Sequence, residues 1–165
     1  MGKIYRLKSR QLIPASIEDT WRFFSDPRNL AKITPSFLNL KVTNELFGEE
    51  MYAGQVMTYT VKPLLGIPVS WMTEITHVEA PLRFVDEQRK GPYQLWHHQH
   101  HFRSVEGGVE MTDLVHYRLP LGPLSGIAHA MVVKDKLKEI FVFRYHRIIE
   151  LFGEWPGGKM ELEIE

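Results

Sequence analysis

The segment LWHHQHHF, residues 95–102, carries His97, His98, His100 and His101, half of the eight histidines in the chain. An imidazole can ligate a metal, exchange a proton near neutral pH, or hydrogen-bond through either ring nitrogen. Which of these it does depends on what it faces. In an extended strand successive side chains point to opposite sides, so Trp96, His98, His100 and Phe102 share one face. Leu95, His97, Gln99 and His101 share the other. His98 and His100 thus form a His-x-His pair with Cα atoms about 6.6 Å apart, a spacing at which two imidazoles can share one ion, with Asp86 or Asp113 as a third ligand. His97 and His101, about 13 Å apart, are too far from each other to chelate one ion unaided. Inward histidines that hydrogen-bond to Asp and Tyr neighbours need no ion, so the sequence reading assigns neither metal nor cofactor.

The neighbouring hairpins decide which face is inside. With Gly107 and Gly108 as a two-residue turn, Phe102 lies opposite Asp113, His100 opposite Val115, His98 opposite Tyr117 and Trp96 opposite Leu119. That face is mostly aromatic and aliphatic. The reverse face pairs Arg103 with Thr112, His101 with Leu114, Gln99 with His116 and His97 with Arg118, which suits water. On the other side, a short odd-numbered turn at the Lys90-Gly91-Pro92 segment, centred on Pro92, sets Gln88 opposite Trp96, Asp86 opposite His98 and Phe84 opposite His100. The inner wall then gathers Asp86, Gln88, His98, His100, Asp113 and Tyr117 among Phe84, Trp96, Phe102 and Val115.

The rest of the chain must position this wall. Residues 4–13 alternate as a strand that ends at Pro14. Ser16, followed by Asp19, reads as the N-cap of a short helix with Ile17, Trp21 and Phe24 on one face, and Asp26-Pro27 opens a second, PRNLAKI. From Leu38 to about Leu119 branched and aromatic residues alternate between Gly and Pro punctuation, predicting five or six further antiparallel strands. Residues 127–152 lack Pro and Gly, and Ala130, Val133, Leu137, Ile140, Phe141, Tyr145, Ile148 and Phe152 fall near one stripe at helical spacing. Gly153 is a natural C-cap, and residues 154–165 read as a loosely held tail beyond a single domain of residues 1–153. The expected fold is α+β: a strongly curved antiparallel sheet of about seven strands wrapped around a long C-terminal helix, with two short helices after the first strand.

Composition narrows the functional classes. Lysine plus arginine equals aspartate plus glutamate at twenty each, with no run of one sign, which argues against nucleic acid as a partner. There is no cysteine, which excludes disulfides, thiolate metal sites and a cysteine nucleophile. No apolar run reaches the roughly 20 residues of a spanning helix and the first residues have no apolar signal core, so a cytoplasmic protein without membrane insertion is expected.

Four motifs carry a resemblance: TWRFFSDPRNLAKITP (20–35), IPVSWMTEITHVE (67–79), FVDEQRKGPYQLWHHQHHF (84–102) and GVEMTDLVHYRLPLGP (108–123). The chain resembles, from about Tyr5 to Phe152, the ligand-binding SRPBCC proteins of the START and birch-pollen-allergen superfamily. The resemblance implies a helix-grip fold with a deep cavity, and a protein that binds lipids, sterols, polyketides or hormones, or acts as an aromatase/cyclase. An empty cavity of about 500 Å³ would forfeit about 12 kcal/mol at roughly 24 cal/mol per Å³, comparable to a domain's whole stability. Water or a ligand is therefore expected inside. The candidate ligand-binding residues are Phe84, Asp86, Gln88, Trp96, His98, His100, Phe102, Asp113 and Tyr117, around a small hydrophobic or amphipathic molecule. The alternative is a polyketide cyclase or dehydratase-like enzyme with His98 or His100 as general base. PLLGIP (63–68) and PLGPLSG (120–126) are candidate loops at the cavity mouth.

Overall fold

A computed structural model of the protein describes residues 2–44, 50–62, 66–120 and 132–165. β1 (Tyr5–Ile13) buries Tyr5, Leu7, Ser9, Gln11 and Ile13 on one face, the alternation its sequence predicts. At the N-cap of α1 (Ile17–Phe24) the Ser16 side chain accepts a hydrogen bond from the backbone N–H of Asp19 at 3.1 Å. The PRNLAKI segment is a 3₁₀ helix, Pro27–Ile33, capped by the Asp26 carboxylate, and a second short 3₁₀ turn spans Ser36–Leu38. Then come β2 (Lys41–Val42), β3 (Val56–Val61), β4 (Val69–Glu79), β5 (Arg83–Lys90), β6 (Leu95–Val105) and β7 (Gly108–Arg118). The long helix α2 (Lys134–Phe152) and β8 (Glu161–Ile164) complete the chain. The start expected for the long helix, near residue 126 and including Ala130, lies outside the described residues, as do most of the two candidate mouth loops.

All the strands join one antiparallel sheet in the order β2-β3-β4-β5-β6-β7-β1-β8. The α+β helix-grip architecture is therefore as the sequence predicts, with eight strands rather than about seven. The extra edge strand corrects the reading of residues 154–165 as a loose tail. Leu162 and Ile164 pack with the inner core while Glu161 and Glu165 meet Arg10 and Arg6 outside, so four alternating residues suffice to pair with β1. Trp155 lies over the β6–β7 turn, where a side chain on Gly107 would meet its ring at 3.1 Å.

That turn holds the second correction. β6 and β7 pair Val105 with Gly108, which makes Glu106 and Gly107 the central residues. Gly107 has φ 88°, the left-handed value that the second central position of such a turn demands. Gly108 is instead the first residue of β7, where a Cβ would collide with the carbonyl oxygen of Ile13 on β1. The register thus slides by two from the one predicted: Phe102 faces Met111, His100 faces Asp113, His98 faces Val115 and Trp96 faces Tyr117. Because side chains alternate with period two, the slide leaves every residue on its predicted face.

Inside, the core is split. Ile13, Phe24, Phe84, Phe102, Met111 and Ile148 belong to one apolar cluster; Tyr5, Leu7, Val115, Tyr117, Leu137 and Phe141 belong to another. Between them the inward positions of successive strands are polar: Ser9 and Gln11 on β1, Asp113 on β7, His98 and His100 on β6, Asp86 on β5, Thr73 on β4. A polar belt crosses the sheet.

Candidate functional site

His98 and His100 are 6 % and 5 % exposed, and Asp113 is 4 % exposed. The predicted β5–β6 register holds, with Asp86 opposite His98 and Phe84 opposite His100. Strand pairing therefore places the two carboxylates on either side of the two imidazoles. Asp113 Oδ1 lies 2.9 Å from His98 Nε2 and 2.9 Å from His100 Nδ1. Asp86 Oδ2 lies 2.9 Å from His100 Nε2 and 3.5 Å from His98 Nδ1. Each ring thus turns one nitrogen to each carboxylate, and the ring centroids are 3.8 Å apart. Phe84 stacks on the outer side of His100 at 4.0 Å.

Arg144 completes the cluster from α2, with Nη2 at 3.5 Å from both Asp113 Oδ1 and His100 Nδ1. The shorter His100–Asp113 contact decides the proton on Nδ1: that nitrogen donates to Asp113, and the guanidinium faces the carboxylate. Arg144 is the residue that reading the strands misses. Its signal is the helix spacing itself, because 137, 141, 144 and 148 form one inward stripe in which Leu137, Phe141 and Ile148 are apolar and Arg144 alone is charged.

Burial by itself would raise both carboxylates, but the imidazoles and Arg144 outweigh it, and both are held below their ordinary range, Asp113 well below. The two histidines are pushed apart. Desolvation and the neighbouring imidazole lower His98, whereas for His100 the hydrogen bonds to Asp113 and Asp86 overcome burial and raise it. Two rings this close do not both carry charge at neutral pH. His100 therefore takes a proton before His98, and one imidazolium with the Arg144 guanidinium would balance the two carboxylates.

The cluster forms one wall of a cavity of about 210 Å³ between the inner face of the sheet, the 3₁₀ segments and α2. Of the predicted ligand-binding residues, Phe84, Asp86, Trp96, His98 and His100 line it. The other four stand behind that wall. Asp113 holds both imidazoles from the far side; Phe102 packs against Trp21 and Phe24; Tyr117 is 0 % exposed, stacked on Tyr5. Gln88 closes the β5–β6 connection, its side chain donating to the carbonyl of Tyr93 at 2.6 Å and accepting from the Tyr93 N–H at 3.2 Å. The remaining surface is apolar and aromatic, with Ile33, Met51, Trp71 and Phe141 prominent, and the hydroxyls of Tyr59 and Thr73 bonded to each other at 2.7 Å. Asp86, His98 and His100 are also the one group among the described residues whose ligand atoms, all within 4.8 Å of one another, could converge on a metal ion.

No family model matches the sequence, and no curated protein matches it. Solved structures do. Protein CV1439 from Chromobacterium violaceum superimposes with a TM-score of 0.68 at 11 % identity, over 91 % of this chain and 98 % of that one. Ginseng major latex-like protein 151 from Panax ginseng gives 0.65 at 12 % identity, over 91 % and 99 %. Ara h 8.0201 gives 0.59 at 13 % identity, over 90 % and 99 %. The chain therefore shares the fold of these proteins, the helix-grip architecture that the sequence reading expects.

Proposed function

We propose that this protein binds a small, largely apolar molecule in the cavity between sheet and long helix, with Asp86, His98, His100 and Arg144 at its polar end. The observation that supports this reading most is the meeting of an aromatic cavity of about 210 Å³ with a charged, almost fully buried cluster on one wall. Apolar walls supply affinity, and a few fixed polar groups orient the ligand. A packed structural core would have no use for such a cluster beside open space, since ion pairs buried for stability alone are often no better than hydrocarbon. Among the described residues no helix is long and apolar enough to cross a membrane.

Organic extraction and native mass spectrometry of the purified protein test the reading. A copurifying amphipathic molecule is expected, and reloading it should change the fluorescence of Trp71 and Trp96, which line the cavity. An extract without any small molecule, together with unchanged tryptophan fluorescence across a panel of fatty acids, phenols and polyketide-like ketones, would count against it.

A second reading, proton transfer on the bound molecule as in a cyclase or dehydratase, draws on one feature. His98 pairs its Nε2 with Asp113 while lining the cavity, the arrangement of a carboxylate-oriented general base. His98→Ala should then lose turnover far more than affinity. Equal losses in both would leave binding alone.

A further inference from the structure

We propose that Asp86, His98 and His100 form a binding site for one divalent first-row transition-metal ion at the polar end of the cavity, with Asp113 as the outer carboxylate that orients both imidazoles. The sequence assigns no ion, because inward histidines that hydrogen-bond to Asp and Tyr neighbours need none; spacing alone does not show which nitrogen of each ring faces which carboxylate. The side chains do.

His98 Nε2 and His100 Nδ1 both meet Asp113 Oδ1 at 2.9 Å. Metal-bound histidines characteristically donate the N–H of the other nitrogen to a carboxylate in this way, which fixes the tautomer and makes the coordinating nitrogen more basic. With those protons directed to Asp113, the remaining nitrogens, His98 Nδ1 and His100 Nε2, both turn to Asp86 Oδ2, at 3.5 Å and 2.9 Å. Once an incoming cation displaces the second proton of His100, three electron-pair donors converge on one point, and a neutral His98 already presents a lone pair toward a carboxylate oxygen. A single proton between the two close-set rings serves only one of these contacts at a time. A divalent cation serves all three.

The surroundings fit the same assignment. All three ligand residues line the cavity while Asp113 does not, so the inner ligands face the space a bound molecule would enter and the orienting group lies behind them. Arg144 pairs with Asp113 rather than with Asp86, at 3.5 Å, holding the outer carboxylate in place without competing for the inner one. Two imidazoles and one carboxylate make a three-ligand set of the kind that binds zinc or iron(II) with coordination positions left for an oxygen donor. The ligand class that follows is an apolar molecule headed by a carboxylate, phenol, enol or hydroxy-ketone. This last step rests on the cavity reading above; the metal site itself does not.

Calorimetric titration of the chelator-treated, full-length protein with Zn(II), in the absence of any organic ligand, tests the site. One ion per chain is expected, with imidazole ¹⁵N shifts placing it on His98 Nδ1 and His100 Nε2. His98→Ala and His100→Ala should each weaken binding by about 100-fold or more, and Asp113→Asn by about 10- to 100-fold. His97→Ala and His101→Ala, on the outer face of the same strand, should leave it unchanged. Circular dichroism of each variant separates lost ligands from lost folding, and the ¹⁵N assignment of the unsubstituted protein stands if a variant fails to fold. Absence of stoichiometric binding by the folded protein, or ¹⁵N shifts at His97 and His101 instead, would overturn the proposal. Because the titration contains no organic molecule, its failure leaves the extraction experiment to judge the cavity separately.

Discussion

β6 carries the same chemistry on both faces, one residue out of step, and the two faces behave differently. Inward, His98 and His100 meet Asp86, Asp113 and Arg144 in a space almost closed to water. Outward, His97 meets Glu87 at 3.0 Å, Gln99 bridges His97 and His101, and further along Glu110 pairs with Arg10 and Arg103, each at 2.7 Å. The Glu110 ion pairs are shorter than the 2.9 Å contacts of the inner cluster. Length is a poor guide to energy here. Solvent screens the outer charges and solvates either partner left alone, while the inner ones have only each other.

The sharpest way to break this comparison is to remove one member of the inner cluster. Arg144→Met leaves Asp113 buried with one cation fewer, and should cost about 3–5 kcal/mol in urea unfolding. Adding Asp113→Asn should recover part of that loss, since a neutral amide removes the stranded charge while its oxygen can still accept from the imidazole N–H groups. A loss for Arg144→Met no larger than that for an outer-face substitution would show that the buried charges are not mutually dependent.

Acid should distinguish the two faces next. Asp86 and Asp113 have folded-state values below their unfolded ones, so their contribution is complete above the unfolded carboxylate range, about 4, and is lost as pH falls toward the depressed values. The histidines have opposite signs. The raised value of His100 gives stability that is complete below its unfolded value, about 6.5, and is lost as pH rises through the folded one; the lowered value of His98 gives stability lost as pH falls below about 6.5. Chelator-treated protein should therefore show a shallow pH dependence around neutrality and a steep loss below about pH 4. In urea melts at stepped pH, Asp113→Asn should flatten the acid limb.

Salt sharpens the contrast from the other side. Glu110→Gln should lose less stability than Arg144→Met, and that loss should shrink toward nothing in molar salt, whereas the Arg144→Met loss should persist. Smallest of all, His97→Ala and His101→Ala should change stability by no more than about 0.5 kcal/mol. A larger change at either would mean that the outer row of imidazoles is structural.

Much of this was legible before any coordinates. Alternation on β1, β6 and β7 marked the inward faces, the Asp86–His98 and Phe84–His100 pairings followed from a short turn, and Leu137, Phe141 and Ile148 marked the buried stripe of the long helix. Three things were not legible. The β6–β7 turn moved because Gly108 is needed against Ile13, a residue far away in sequence. Arg144 sits on a helix stripe that is otherwise apolar, and helical spacing does not say which strand residue that stripe will meet. Residues 161–164 are few and carry two glutamates, and only the open edge of β1 makes them a strand.

Sequence alone determined which side of each strand a residue occupies and which stripe of the helix is buried, because both follow from the local repeat of the backbone. Tertiary structure decided the register within a face, the meeting of Arg144 with Asp113, and the nitrogen each imidazole turns to each carboxylate. Those depend on contacts between residues distant in the chain, and a slide of two residues along a strand changes every partner without changing any face.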